Sequence, residues 1–304
     1  MANPERKHPD NVPGNWFVDD SCIDCDASRQ CAPDIFGHVG GQSVVIRQPE
    51  TADEVQRAAR ALLVCPTASI GVLGGVPGGA AGGKPQFDGL FPLEIEDGVF
   101  LCGFNSPRSY GANSFLIQRP GGNFLVDAPR FVRRLLHRLE DLGGVADILL
   151  THRDDVADAR QYAEHFDARV WIHEDDRDAA PFATEILRGR ERQRVRGDMV
   201  AIPAPGHTLG SVIYHLEDRY LLTGDSLYWS RSLGDLSAFH GACWYSWEEQ
   251  TRSLESLLDL RFEWVLAGHG DRRRGTPEAM HASLARLVER MKSHDPVLES
   301  DYLW

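Results

Sequence analysis

Pro205-Gly206-His207-Thr208-Leu209-Gly210-Ser211 runs directly into the apolar stretch Val212-Ile213-Tyr214. A metal-binding or acid–base side chain flanked by glycine and abutting an apolar strand reads as a loop residue set at a sheet edge. Working outward, the arrangement recurs three times. Ile148-Leu149-Leu150 leads into Thr151-His152, and Tyr220–Leu222 into Thr223-Gly224-Asp225-Ser226-Leu227. Trp264–Ala267 leads into Gly268-His269-Gly270. Further apolar strands are expected at Asn113–Ile117, Asn123–Asp127 and Val170–Ile172. Helical spacing of apolar residues follows Pro129 (Val132, Leu135, Leu136, Leu139), His152 (Val156, Ala159, Ala163, Phe166) and Thr276-Pro277 (Met280, Leu284, Leu287, Val288, Met291). Strands alternating with helices predict an α/β architecture.

The chain of 304 residues is 42% apolar and 25% charged, enough to bury a core and long enough for two domains. Its net charge of −13 comes from 45 acids against 32 bases, so a nucleic-acid backbone or an anionic membrane would be repelled. No run of 18 apolar residues is present, and Met1–Gly14 has no apolar core, so neither a spanning helix nor a signal peptide is expected. Gly71–Gly83, with seven glycines in thirteen residues, reads as a connector. The expected division is residues 1–70, a linker at 71–92, and a second domain at 93–304. Ahead of the connector, Thr51 and Glu54 form a capping box for a helix carrying Val55, Ala58, Ala59, Leu62 and Leu63.

Four of the six cysteines fall within residues 22–65, and clustered cysteines without a secretory signal point to a metal site in a reducing, cytoplasmic setting. Cys22-Ile23-Asp24-Cys25-Asp26-Ala27-Ser28-Arg29-Gln30-Cys31-Ala32-Pro33, with the later Cys65-Pro66, resembles a bacterial-type ferredoxin. That resemblance implies a small α+β module with one iron–sulfur cluster, 4Fe–4S or 3Fe–4S. Cys22, Cys25 and Cys65 match as ligands. The third ligand position holds Ser28, and Cys31 lies three residues beyond it. A thiolate suits iron better than a hydroxyl, so Cys31 is the expected ligand, with Ser28 as the alternative. Paired cysteines alone would also suit zinc.

The ordered segments Asn123–Asp127, Thr151-His152, Pro205–Ser211, Leu222–Leu227 and Ala267–Gly270 resemble the metallo-β-lactamase superfamily, particularly its glyoxalase II-like hydrolases. The resemblance covers roughly residues 93–275 and implies an αββα sandwich with metal ligands at one edge. The family's first motif, T-H-x-H-x-D-H, is altered: residues 151–157 read Thr-His-Arg-Asp-Asp-Val-Ala. The implied metal ligands are His152, Asp154, His207, Asp225 and His269, with His207 and Asp225 closest to catalysis. Val156 and Ala157 are expected to face an emptied second position, leaving at most one zinc, iron or manganese ion. Asp154 or Asp155 could instead cap the following helix. Trp244, Tyr245, Tyr228, Trp229, Phe239 and Trp247 are candidates for a substrate wall or for core packing.

Three functions fit this sequence. The first is a metal-dependent hydrolase of an ester or thioester, with a small-molecule substrate. The second is a redox protein whose cluster serves the other domain or a redox partner. The third is a non-catalytic sensor or scaffold.

Overall fold

The computed structural model describes residues 2–75, 87 and 89–300, with the backbone alone at 299 and 300. The chain divides into two compact units, one of Met1–Ile117 with Pro129–Gly143 and one of Gln118–Ala128 with Gly144–Trp304.

In the first unit β1 (Trp16–Val18) pairs antiparallel with β4 (Ile70–Val72), and β2 (Phe36–Val39) pairs with β3 (Gln42–Val45). Between these strands lie α1 (Ala27–Cys31) and α2 (Ala52–Val64). The capping box at the start of α2 is formed: Glu54 N–H donates to Thr51 Oγ1 at 3.3 Å and Thr51 N–H to the Glu54 carboxylate at 3.0 Å. Ala58, Ala59, Ala61, Leu63 and Val64 form its buried face. The unit continues through an antiparallel run of β5 (Leu93–Glu96), β6 (Val99–Leu101) and β7 (Phe115–Ile117), and includes α3 (Arg133–Asp141). That helix starts four residues after Pro129. Val132 is its extended N-cap, and Leu135, Leu136 and Leu139 are buried as their spacing requires.

The second unit holds a parallel run of β8 (Phe124–Val126), β9 (Asp147–Leu149), β10 (Arg169–His173) and β11 (Glu185–Leu187), with α4 (Ala159–Phe166) between β9 and β10. A six-stranded sheet follows in the order β12 (Gln193–Arg196), β13 (Met199–Pro203), β14 (Val212–Leu216), β15 (Tyr220–Gly224), β18 (Trp264–Ala267) and β19 (Arg273–Arg274). A hairpin of β16 (Tyr228–Ser230) and β17 (Asp235–Ser237) precedes α5 (Trp247–Glu255). The helices α6 (Pro277–Lys292) and α7 (Pro296–Ser300) come after the sheet. Strands β14 and β15 are buried at every residue, as continuous apolar runs at the centre of a sheet should be. Their core includes Ile213, Leu221 and Val265 with Leu254, Leu284 and Leu287 from the helices. The alternating α/β reading therefore holds. Among the described residues no helix is long and apolar enough to cross a membrane.

Strand direction places the site. Strands β13 and β15 are each antiparallel to β14, and β18 is parallel to β15, so all three run the same way. The residues just past their C-terminal ends lead to His207, Asp225 and His269. Strands β8 and β9 are likewise parallel and end just before Asp127 and Thr151-His152.

The glycine-rich stretch is not a connector at its start. Gly71 lies inside β4 opposite Phe17, and a Cβ there would meet the Phe17 ring at 2.3 Å. Glycine is needed because the aromatic ring occupies the side-chain position. Residues 76–86 and 88, including most of the expected linker, lie outside the described residues. Gly71→Ala is expected to lower the urea unfolding midpoint by an amount equivalent to about 1–3 kcal/mol through overpacking. Phe17→Leu in the same chain should recover part of that loss, because the two positions share one space.

Candidate metal centre and cysteine cavity

Thr151 organises the second unit's polar centre. Its amide N–H donates to Asp127 Oδ1 at 2.8 Å and its hydroxyl donates to the same carboxylate at 2.9 Å. With its proton committed to Asp127, the Thr151 oxygen accepts from His152 Nδ1 at 2.9 Å. His152 therefore carries its proton on Nδ1 and presents a bare Nε2 lone pair. His207 donates Nδ1–H to the Ala242 carbonyl at 2.6 Å, which turns its Nε2 to the carboxylates; burial opposes a charge on this ring, but Asp154 and Asp225 outweigh it and raise its pKa, so the site draws positive charge here. Both Nε2 atoms are buried with no hydrogen-bond partner. Buried polar atoms left in this way need a partner.

The carboxylates converge on these imidazoles. Asp225 Oδ2 lies 3.6 Å from His152 Nε2 and 3.8 Å from His207 Nε2, while Asp154 Oδ2 lies 3.3 Å from His207 Nε2. A lone pair facing a carboxylate at such distances calls for a proton or a cation between them. His269 donates Nδ1–H to Asp225 at 2.9 Å. Burial opposes a charge on Asp225, but the imidazoles of His269, His152 and His207 outweigh it and hold its carboxyl well below the usual range. Burial, reinforced by the His207 ring, pushes His152 down to about 4, so it stays neutral and able to ligate.

Asp155 is the residue the sequence reading missed. The first turn after His152 is a 3-10 turn at Arg153–Asp155, and α4 starts only at Ala159 behind Asp158, so neither Asp154 nor Asp155 caps that helix. Asp155 is instead buried, with neither carboxylate oxygen hydrogen-bonded. Burial, and then the charges of Asp225 and Asp127, raise its carboxyl well above the ordinary range. Its oxygen lies within 4.8 Å of ligand atoms of His152 and Asp225, as those of His152, Asp154 and His207 do of one another. Val156 and Ala157 are only partly buried. The turn after His152 thus brings Asp155 inward beside Asp225. The ligand atoms that come together on that side are those of His152, Asp155 and Asp225, while His269 is joined to them through its bond to Asp225.

Glycines make the convergence possible. A Cβ on Gly224, whose φ is +48°, would strike Thr151 Oγ1 at 2.5 Å. One on Gly268 would meet Asp225 Oδ1 at 2.8 Å and Asp155 Oδ2 at 3.0 Å. Beside the centre a cleft of about 660 Å³, open to solvent, is lined by Asp154, Arg153, Thr208, Trp244 and Tyr245 among others. Trp244 and Tyr245 are 67% and 47% exposed, whereas Tyr228, Phe239 and Trp247 are buried, so the aromatic group divides between cleft and core. His173, His215 and His281 bond backbone carbonyls of Gly189, Arg261 and Leu258, consistent with structural roles.

The first unit has a second polar centre. Cys22, Cys25, Cys65 and Ser28 line one small cavity, partly open to solvent, together with Ser43 and Ser69. Amide N–H groups of Ser43 and Ser69 donate to Cys22 Sγ at 3.3 Å and Cys65 Sγ at 3.2 Å. Such donors stabilise thiolates, the form that binds iron. These residues suit a cluster. Cys31, the expected third ligand, is not among the residues lining the cavity; it closes α1 one turn past Ser28. Gly111, with φ of +89°, packs onto Cys25: a Cβ there would lie 2.9 Å from its sulfur.

Thr151→Val keeps the side-chain shape and removes the hydroxyl that sets the His152 tautomer. The expected result is roughly 10–100-fold weaker binding of zinc or manganese, measured by chelator competition.

Comparison with known proteins follows this geometry. Residues 18–72 match the 4Fe–4S single cluster domain of ferredoxin I, and residues 93–276 match the metallo-β-lactamase superfamily. A Bacillus subtilis (strain 168) protein described as uncharacterised, YmaE, is 33% identical over 123 residues, 38% of this chain and 45% of that protein. The chain thus spans less than half of that relative's length. The hydroxyacylglutathione hydrolase of Acidiphilium cryptum (strain JF-5) is 29% identical over 189 residues, covering 59% of this chain and 76% of that enzyme. Among solved structures, the DIM-1 metallo-β-lactamase superposes with a TM-score of 0.52 at 19% identity, over 66% of this chain and 96% of that one. TMB-1 gives the same TM-score, 0.52, and the same identity, 19%. These likenesses establish the fold. The chain belongs to the metallo-β-lactamase superfamily and carries a single-cluster ferredoxin domain ahead of the matching residues.

Proposed function

We propose that the second unit is a metal-dependent hydrolase acting on an ester or thioester of a small molecule. The observation that carries this reading is the pair of buried Nε2 atoms on His152 and His207, both aimed at Asp225 and both lacking a hydrogen-bond partner. A zinc, iron or manganese ion held there would polarise a substrate carbonyl and lower the pKa of a bound water. His152 and His207 would offer Nε2 to that ion because Thr151 and the Ala242 carbonyl hold a proton on each Nδ1, with the ion taking the place of the proton that the carboxylates draw to His207. Asp225 is kept ionised by His269 and can accept a proton at its carboxylate. Asp154, about half exposed, forms the edge shared with the cleft, where a substrate would enter past Trp244 and Tyr245. Asp155, with His152 and Asp225, offers a second, carboxylate-rich cation position. The two hydroxyacylglutathione hydrolases among the similar proteins favour a thioester over other carbonyl compounds. The scaffold reading fits less well, because a decayed site has no reason to keep unpaired imidazoles and carboxylates buried.

One observation favours a redox role for the cluster alongside this chemistry. Gly111 and Tyr110, within the stretch matching the metallo-β-lactamase superfamily, touch the cysteine module directly, with Tyr110 donating its hydroxyl to the Ile23 carbonyl.

Hydrolysis of a panel of acyl thioesters, followed by thiol release, tests the main reading. Activity is expected to vanish on chelation of the second unit's metal and to return with zinc, manganese or ferrous ion. His207→Ala should lower it by more than the roughly 100-fold that losing a supporting partner costs. Asp155→Asn should reduce metal content without abolishing binding at the histidine pair. Metal-free protein with unaltered thioesterase activity would defeat the proposal.

A further inference from the structure

We propose that the iron–sulfur cluster is held by three thiolates, Cys22, Cys25 and Cys65, with its fourth iron facing Ser28 rather than Cys31, so that this iron is exchangeable. The inference rests on the cluster-domain reading and concerns a position where this chain departs from it. Two independent observations meet at Ser28. By spacing it stands where C-x2-C-x2-C places the third cysteine, and in the fold it lines the cavity with the three cysteines.

Cys31 is held away by the structure of α1. The helix starts at Ala27, directly after Asp26 in a left-handed conformation, so Ser28 lies in the first turn. Cys31 follows about 4.5 Å further along the axis, at the rise of a helical residue. Cys31 does not line the cavity, and a rearrangement of α1 would be needed to change that. Two anchors oppose that. Ala32 N–H donates to the Ser28 carbonyl at 3.0 Å, closing the helix. Arg29, buried, is tied to Asp26 and Asp24 at 2.7 Å each. Its guanidinium also donates to Ser43 Oγ at 2.8 Å, and the Ser28 hydroxyl donates to that same oxygen at 3.2 Å. Arg29 thus fixes the two hydroxyls beside the cavity while its ion pairs fix the helix.

A serine hydroxyl is a hard, weakly acidic donor, poorly matched to iron that prefers thiolate. The iron next to it is the one to leave. An outer-sphere one-electron oxidant such as ferricyanide takes one electron from a dicationic four-iron core. The core then releases one ferrous ion and leaves a monocationic three-iron, four-sulfide core. Charge and atoms balance, and Ser28 is left as an uncoordinated hydroxyl bonded to Ser43.

Three full-length proteins, purified and reconstituted anaerobically, decide the matter: the native chain, Ser28→Cys and Cys31→Ser. Iron, acid-labile sulfide and zinc are measured before and after ferricyanide, with electron paramagnetic resonance of the oxidised samples. The native chain and Cys31→Ser should each fall from four irons to three with all sulfide retained, and show the signal of an oxidised three-iron cluster. Ser28→Cys should keep four irons, losing the fourth at least about 10-fold more slowly. Should Ser28→Cys fail to fold, unchanged behaviour of Cys31→Ser carries the proposal. Bleaching or iron loss in Cys31→Ser before oxidation would overturn it, as would a native chain that keeps four irons through oxidation. Colourless protein holding zinc in all three samples would instead overturn the cluster reading itself.

Discussion

The hydroxyl of Thr151 ties together the end of β8, the end of β9 and the first metal-facing imidazole. A hydroxyl has one proton. When Asp127 is ionised that proton goes to its carboxylate, the oxygen accepts from His152 Nδ1, and the chain of bonds runs in one direction. The bare Nε2 on the far side of the ring is a consequence, as is the need for something electropositive between it and Asp225. Gly224 completes the constraint, since any side chain there would displace the threonine. An apparently ordinary Thr-His pair is therefore readable as a tautomer-setting device once its neighbours are known.

Much of this was legible beforehand. Each ligand-bearing loop follows an apolar run, and a set of like-directed strands brings such loops to one edge without knowledge of side-chain contacts. Helical spacing gave the buried faces of α2, α3 and α6, and Thr51 with Glu54 gave the start of α2. Where the reading failed, the failure came from local register. Helix starts after Pro129 and His152 were placed several residues early, because proline and aspartate mark a turn but not how many residues it takes. The same uncertainty hid Asp155. Aligning residues 151–157 to a motif position by position pointed Val156 and Ala157 at the second cation site, whereas a 3-10 turn shortens the path and turns Asp155 inward. Adjacent aspartates give no sequence signal as to which one is buried. The glycine-rich stretch misled for a related reason: at Gly71 the missing side chain makes room for Phe17 and does not signal flexibility.

The cysteine module shows the limit of ranking ligands by chemistry alone. Thiolate over hydroxyl is a sound preference for iron, yet a ligand must first reach the metal. Ser28 lies at the cavity and Cys31 one turn beyond, with α1 pinned by the buried Arg29–Asp26 pair. Breaking such a pair would leave an uncompensated buried charge, which costs about 3–5 kcal/mol. Position and intrinsic affinity thus point to different residues, Ser28 and Cys31.

Buried charge also separates a working metal centre from a relic. Asp127, Asp155 and Asp225 are all buried around the imidazoles of His152 and His207. Their responses differ with their partners. Asp225, bonded by His269, stays ionised, while burial drives Asp127 up to about 8 despite its two bonds from Thr151. Asp155, with neither oxygen hydrogen-bonded, is driven well above its ordinary range by burial and by the charges of Asp225 and Asp127. Three acids and two lone-pair donors cannot satisfy one another, since every one of them needs positive charge or a proton. Apolar substitution at Asp155 would relieve that conflict in a protein that bound nothing. Gly268 leaves room beside the Asp155 carboxylate, and an unbonded buried acid there suits the binding of a cation.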